Sequence, residues 1–241
     1  MENQKIKNPE VLYRYRSLGN SWANTLSEIL GQMYFARAEI LNDPFDGLTY
    51  APKYNRILNH PKFIEPLHLI EIWSVVCFST KWDNPTMWSH YADNYKGICL
   101  GYDRLVLQKK MDTMRPENNA VVTNSFLKPM RYKKDLFLNN ENTEDLLTVK
   151  TEHWSYEDEW RFGILGRYGN ISIREKGFEY PIRKAIKEIL YTSEIKRNEL
   201  NIIKMIIKTL DYPIDLYKVE IDKKNMIMTR EKQNTQIFYT H

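Results

Sequence analysis

Cysteine is scarce in these 241 residues. Cys77 and Cys99 are the only two, and each sits in an apolar, strand-like run (Val75-Val76-Cys77-Phe78 and Ile98-Cys99-Leu100). With no CxxC pair and no metal-ligand spacing, a disulfide scaffold and a zinc ribbon are excluded, and buried thiols in a reducing compartment are expected. Long apolar runs are missing as well. No stretch approaches the ~20 apolar residues that cross a bilayer. The opening Met1-Glu2-Asn3-Gln4-Lys5 lacks the apolar core of a signal peptide. A cytoplasmic protein with no membrane partner is the expectation.

Charge of one sign is equally short. Lys and Arg number 35 against 31 Asp and Glu, a formal +4, too little to announce a nucleic-acid binder. No GxGxxG follows a strand, and neither a GK[ST] phosphate loop nor a GxSxG elbow occurs. The five histidines (His60, His68, His90, His153, His241) are scattered without an HExxH pair, so no metal is expected. Internal repeats, low-complexity tracts and linkers are absent too.

What remains is a globular composition, 42% hydrophobic and 27% charged, which excludes wholesale disorder. The aromatic share of 13% is high and favours a ring-stacking ligand pocket. The alternation Leu12-Tyr13-Arg14-Tyr15-Arg16 predicts a strand with both arginines on one face. Asn20 or Ser21 suits the cap of a helix through Leu30, ended by Gly31, with a strand at Met33–Ala36. Asn42-Asp43-Pro44-Phe45-Asp46-Gly47 is turn chemistry, followed by loops around a helix near Pro52, Pro61 and Pro66.

Ile72–Thr80 reads as a central strand. Asp83 or Asn84 caps the next helix, with Pro85 in its first position, and Ile98–Tyr102 returns as a strand after Gly97. Polar residues 115–142 suggest a mobile insertion. A helix at about Thr143–His153 then leads into a strand, Glu157–Leu165. A helix near Asn198–Leu210 and strands at Ile214–Ile221 and about Asn225–Thr229 close the chain. One mixed α and β domain, 1–241, is the economical reading.

Three clusters could carry chemistry. Arg14 and Arg16 suit either a bidentate phosphate grip or a solvated edge strand. Phe78, Ser79 and Thr80 end a strand shortly before Trp88, His90 and Tyr91, with His90 suited to acid–base work. The alternative is a packed helix with a satisfied histidine. On a strand, Glu157, Glu159 and Arg161 share one face, the carboxylates about 7 Å apart. That pattern fits a surface ion-pair ladder or a catalytic pair.

Taken together, these motifs resemble a widespread uncharacterised prokaryotic family with Tyr-x-Tyr-Arg, Asn-Asp-Pro-Phe-Asp, Cys-Phe-Ser, Trp-x-His-Tyr-Ala and Glu-x-Glu-Trp-Arg signatures. Here they are Tyr13–Arg16, Asn42–Asp46, Cys77–Ser79, Trp88–Ala92 and Glu157–Arg161. Their order also resembles, more distantly, the ADP-ribosyltransferase superfamily in its Arg–Ser–Glu form. That resemblance implies an α+β fold with a split mixed β-sheet core and flanking helices. It implies NAD as substrate, held through its phosphates by Arg16 or Arg14, with Ser79 and Thr80 bracing the site. Tyr91, Trp88 or Phe78 would stack the nicotinamide. Glu159 would anchor the ribose hydroxyls, with Glu157 on the acceptor side. Lys81 stands where the family's Ser-Thr-Ser motif has its third residue.

The resulting expectation is an NAD-consuming ADP-ribosyltransferase or NAD glycohydrolase, a toxin or antiviral effector by analogy. Its acceptor would be protein or nucleic acid, with a partner or regulator protein. Two alternatives stand beside it. One is a nucleic-acid-binding or nuclease-like module using Arg14, Arg16, Lys133 and Lys134, with Asp43 and Asp46 as a weak metal pair. The other is an interaction protein in which Glu157, Glu159 and Arg161 are structural.

Overall fold

The computed structural model describes residues 8–19, 22–38, 41, 43, 73–113, 120–134, 147–168 and 177–234, which are grouped in two compact units. Among the described residues the first unit mixes α-helices with strands and the second is mostly strand, so the chain is α+β. Among the described residues no helix is long and apolar enough to cross a membrane.

The first unit gathers the described residues up to Leu30, Thr80–Lys109 and those from Arg183 onward. Its strands are β1 (Val11–Arg16), β4 (Ile98–Asp103), β10 (Ile186–Thr192), β11 (Asp215–Asp222) and β12 (Ile227–Gln233). They lie in the order β12-β11-β10-β4-β1. All pairs are antiparallel except β10 with β11. That parallel pair needs a crossover, which helix α4 (Arg197–Thr209) supplies, burying Ile203 and Ile207 one turn apart. Strand β4 is the innermost element: Ile98, Cys99, Leu100 and Tyr102 are fully buried. A continuous apolar run of this kind is what a strand covered on both faces requires.

Among the described residues three shorter helices accompany these strands. Helix α1 (Trp22–Ile29) buries Thr25, Glu28 and Ile29. Helix α2 (Pro85–Tyr91) starts at Asn84, whose Oδ1 accepts from the Thr86 and Met87 amides at 2.9 and 3.3 Å. Gly97 then admits a close approach, because a Cβ there would lie 2.2 Å from the Arg16 carbonyl oxygen. Helix α3 (Arg104–Asp112) follows β4 and is capped by Asp103, whose Oδ1 accepts from Leu105 and Val106.

The second unit comprises the described residues of 31–79 and 110–182. Strands β2 (Gln32–Arg37), β3 (Trp73–Ser79), β5 (Ala120–Pro129), β8 (Glu159–Tyr168) and β9 (Gly177–Pro181) pair antiparallel in the order β9-β2-β3-β8-β5. A parallel pair, β6 (Arg131–Lys133) with β7 (Val149–Thr151), lies beside a 3-10 turn over Glu152–Glu157. Trp73, Val75, Phe126, Leu147 and Val149 pack into one apolar cluster with Ala38. Gly163 is required by that packing, since a Cβ there would meet the Phe126 ring at 2.3 Å.

Several expectations change. Segment 115–142 contains β5 and β6, because Phe126 and its neighbours find a partner in β8. The expected helix at Thr143–His153 is absent from residue 147 on. Leu147 and Thr148 form a turn, Val149–Thr151 a strand, and the 3-10 turn follows. Glu157 therefore ends that turn instead of opening β8, and Asp158 between them takes a left-handed conformation (φ 47°). The sequence pattern predicts neither strands β9 and β10 nor helix α3. The caps Asn20 and Ser21, most of the Asn42–Gly47 turn, and Pro52, Pro61 and Pro66 lie outside the described residues.

Candidate functional site

In the first unit, β1 delivers Arg14 and Arg16 to the same face, and α1 offers one carboxylate to both. Arg14 Nη1 lies 2.8 Å from Glu28 Oε1 and Arg16 Nε 3.1 Å from Glu28 Oε2. The Tyr102 hydroxyl from β4 also donates to Glu28 Oε1. Glu28 is 1% exposed, while the arginine side chains keep 16% and 18%. Two guanidiniums thus share a single anion. Burial, then the charge of Arg14, pushes the Arg16 guanidinium down against the pull of Glu28. The two guanidiniums stand at a partly open position, the kind of donor pair that suits a phosphate grip.

On the other face of β1, Tyr13 donates to Glu188 Oε1 at 2.8 Å, and Arg230 Nη1 donates to the same oxygen at 2.6 Å. The Arg230 guanidinium lies over the rings of Tyr217 (4.6 Å) and Trp82 (5.1 Å). This assembly is a half-buried ion pair dressed with aromatic faces.

The second unit holds the acidic cluster. In the β3–β8 ladder Ser79 stands directly opposite Glu159, and both are buried. Arg161, fully buried, donates from Nε to Glu159 Oε1 at 2.9 Å and from Nη1 to the Leu147 carbonyl at 2.8 Å. Lys150 Nζ donates to Glu157 Oε2 at 2.6 Å and Glu159 Oε2 at 3.1 Å, and lies 4.7 Å from the Trp154 ring centre. The Glu159 amide donates to the Tyr132 hydroxyl at 2.8 Å.

Burial alone would raise the Glu159 carboxyl. Arg161 and Lys150, with a hydrogen bond from Cys77, outweigh it and hold the group well below the usual carboxylate range. Glu159 is therefore a fixed anion at neutral pH. It can accept hydrogen bonds and stabilise positive charge, but it is not poised to transfer a proton there.

The sequence-derived candidates thus fall into two groups. Arg14 and Arg16 meet at Glu28 in the first unit, and Ser79, Glu157 and Glu159 gather in the second. Trp88 is corrected to a core residue. It is fully buried, T-shaped against Tyr15 at 5.4 Å, stacked on Tyr95 at 6.3 Å, and its Nε1 donates to the Trp82 carbonyl. Phe78 is buried as well, whereas Tyr91 is half-buried, His90 exposed and Thr80 intermediate. Of the three aromatics, Tyr91 retains the exposure that stacking on a ligand needs. Asp43 is buried, and Asp46 lies outside the described residues. Among the described residues no three His, Cys, Asp or Glu side chains gather as a metal ion would need.

Glu28, Tyr102, Tyr132 and Lys150 were not singled out from sequence. A lone acid on the buried stripe of α1, beside Thr25 and Ile29, was the available signal for Glu28. For Lys150 it was a charge inside the β-branched run Thr148-Val149-Lys150-Thr151.

Comparison with known proteins yields one match. A family model described as a protein of unknown function, DUF2971, matches residues 87–162, a segment that includes Trp88–Ala92, Gly97 and Glu157–Arg161. No curated protein and no solved structure gives a match to the chain.

Proposed function

We propose that this chain is an NAD-consuming enzyme, an ADP-ribosyltransferase or NAD glycohydrolase of the toxin or antiviral-effector kind. The observation that carries the reading is the β3–β8 register, in which Ser79 and Glu159 are cross-strand partners at a buried ladder end. Two residues 80 positions apart, each picked for its place in an Arg–Ser–Glu pattern, are neighbours there.

The chemistry follows from the charges. Breaking the nicotinamide–ribose bond sends the bonding pair to the leaving ring nitrogen and builds positive charge on the ribose. A carboxylate already ionised and desolvated stabilises that charge without reorganising. Glu159 meets this condition, its Oε1 held by Arg161 and its Oε2 by Lys150. Glu157 would serve the acceptor side, whether protein, nucleic acid or water. Arg14 or Arg16 is the proposed phosphate-binding cation and Tyr91 the proposed stacking ring.

The test is incubation of the full chain with labelled NAD, alone and with cell lysate, beside Glu159→Gln and Ser79→Ala. Loss of one such charge-stabilising group is expected to slow nicotinamide release by about 100-fold or more in Glu159→Gln. Circular dichroism checks that each variant is folded. Equal NAD consumption by parent and a folded Glu159→Gln variant would end the proposal.

A second reading has its own support. Glu157, Lys150, Glu159 and Arg161 form a buried, mutually neutralised set. A non-catalytic interaction protein would use such a set for structure alone. NAD left intact by the parent chain would favour it.

A further inference from the structure

Lys150 rises from β7 into the acidic cluster and is 6% exposed. Its ammonium is the group that spans both glutamates, 2.6 Å from Glu157 Oε2 and 3.1 Å from Glu159 Oε2. Arg161 reaches Glu159 and the Leu147 carbonyl. We propose that Lys150 is a positioning residue whose ammonium clamps Glu157 and Glu159 together as two adjacent anions. This rests on the reading above, in which that pair is the reactive centre.

The argument is one of charge balance. Two carboxylates sharing a buried site cannot both stay ionised without compensation; one takes a proton. Lys150 Nζ touches both carboxylates, so one positive charge is shared by the pair and lets both glutamates remain ionised. Among the described residues, Tyr132 on β6, Tyr156 on the 3-10 turn and Cys77 on β3 also face the cluster. Burial pushes both tyrosines up, so they stay neutral. Cys77 gives Glu159 a hydrogen bond. None of these replaces a positive charge. The Trp154 face steers the ammonium without neutralising it.

The test compares Lys150→Met, Lys150→Arg and the double variant Lys150→Met/Glu157→Gln in the full chain. Side-chain carboxyl titration is followed by carbon-13 NMR, and NAD consumption against pH. In Lys150→Met, one carboxyl of the pair should titrate at least about one pH unit higher than in the parent, a tenfold change in proton affinity. The acid limb of kcat should move up with it while KM changes by less than about twofold. Lys150→Arg should titrate as the parent does. The double variant, which removes one cation and one anion together, should fold, with Glu159 titrating closer to the parent than it does in Lys150→Met.

A folded Lys150→Met variant with both carboxyls unchanged would overturn the inference. If Lys150→Met does not fold, a double variant that also fails to fold would overturn it, and a folded one would support it. Failure of the underlying reading looks different. A parent that leaves NAD intact sinks the function, while the carboxyl titrations still decide what Lys150 does.

Discussion

The Arg14 guanidinium sits 2.8 Å from the Glu28 carboxylate, a contact between a strand and a helix that also draws in Arg16 and Tyr102. Glu28 is thus a counter-ion to two cations, and nothing in the local sequence pairs it with them.

Replacing Glu28 by Gln should therefore be costly. The variant leaves two arginines facing each other and weakens the acceptor of a fully buried tyrosine. Breaking such a pair is expected to lower unfolding free energy by about 3 kcal/mol. Urea unfolding at pH 7 measures it, and added salt should recover part of the loss by screening the arginines. A change below about 0.5 kcal/mol would show that Glu28 is incidental.

Acid should weaken the second unit through Glu159. Its folded carboxyl lies below the ordinary 4.5, at about 2, because Arg161 and Lys150 overcome the opposing effect of burial. A depressed carboxyl contributes stability that is full above the unfolded value and lost as pH falls toward the folded one. The parent should lose stability between pH 4.5 and about 2, by at most about 1.4 kcal/mol per pH unit for this one proton. Glu159→Gln should show a shallower slope in urea unfolding over the same range. Parallel slopes would remove Glu159 as the group responsible.

Gly97→Ala tests the close approach after α2. The added methyl would meet the Arg16 carbonyl oxygen at 2.2 Å and Ala92 backbone atoms at 2.9 Å, none of which can swing aside. A loss of about 1–3 kcal/mol is expected. Gly19→Ala is the control, since its nearest neighbour is the Asp93 side chain at 3.3 Å. Equal melting temperatures for the two variants would contradict the geometry.

The two thiols should separate by reactivity. Cys99 is fully buried, and burial, with Glu188 nearby, pushes its thiol up, so the reactive thiolate is scarce. Cys77 is only half-buried. Ellman's reagent in native buffer should label Cys77 first and reach Cys99 only with denaturant. Equal rates without denaturant would argue against a packed β4.

Much of the framework was legible because its signals are local. The alternation at Tyr13–Arg16, the Asn84-Pro85 cap and the apolar stripe of α4 all lie within a few residues of what they specify, and the observed elements begin within two residues of expectation. Strand β10 was harder, since its pairing with β4 shifts register between Ile186 and Glu188 and breaks the alternation. Strand β7 was hidden because three residues carry too little pattern, and their strand conformation depends on pairing with β6. Strand β5 was masked by polar neighbours, although β8 gives it a ladder along its length.

The sequence by itself determined the α+β character, the placement of Arg14 and Arg16 on one strand face, and the candidacy of Ser79, Glu157 and Glu159. Those follow from side-chain periodicity and residue chemistry, which a chain carries before it folds. Tertiary structure alone decided that Glu28 holds the arginines, that Trp88 is core, and that Lys150 bridges two glutamates. Coulombic and packing energies depend on distance in space, and Glu28 meets Tyr102 across 74 positions of chain. Such partners become visible only when strands from distant segments are laid side by side.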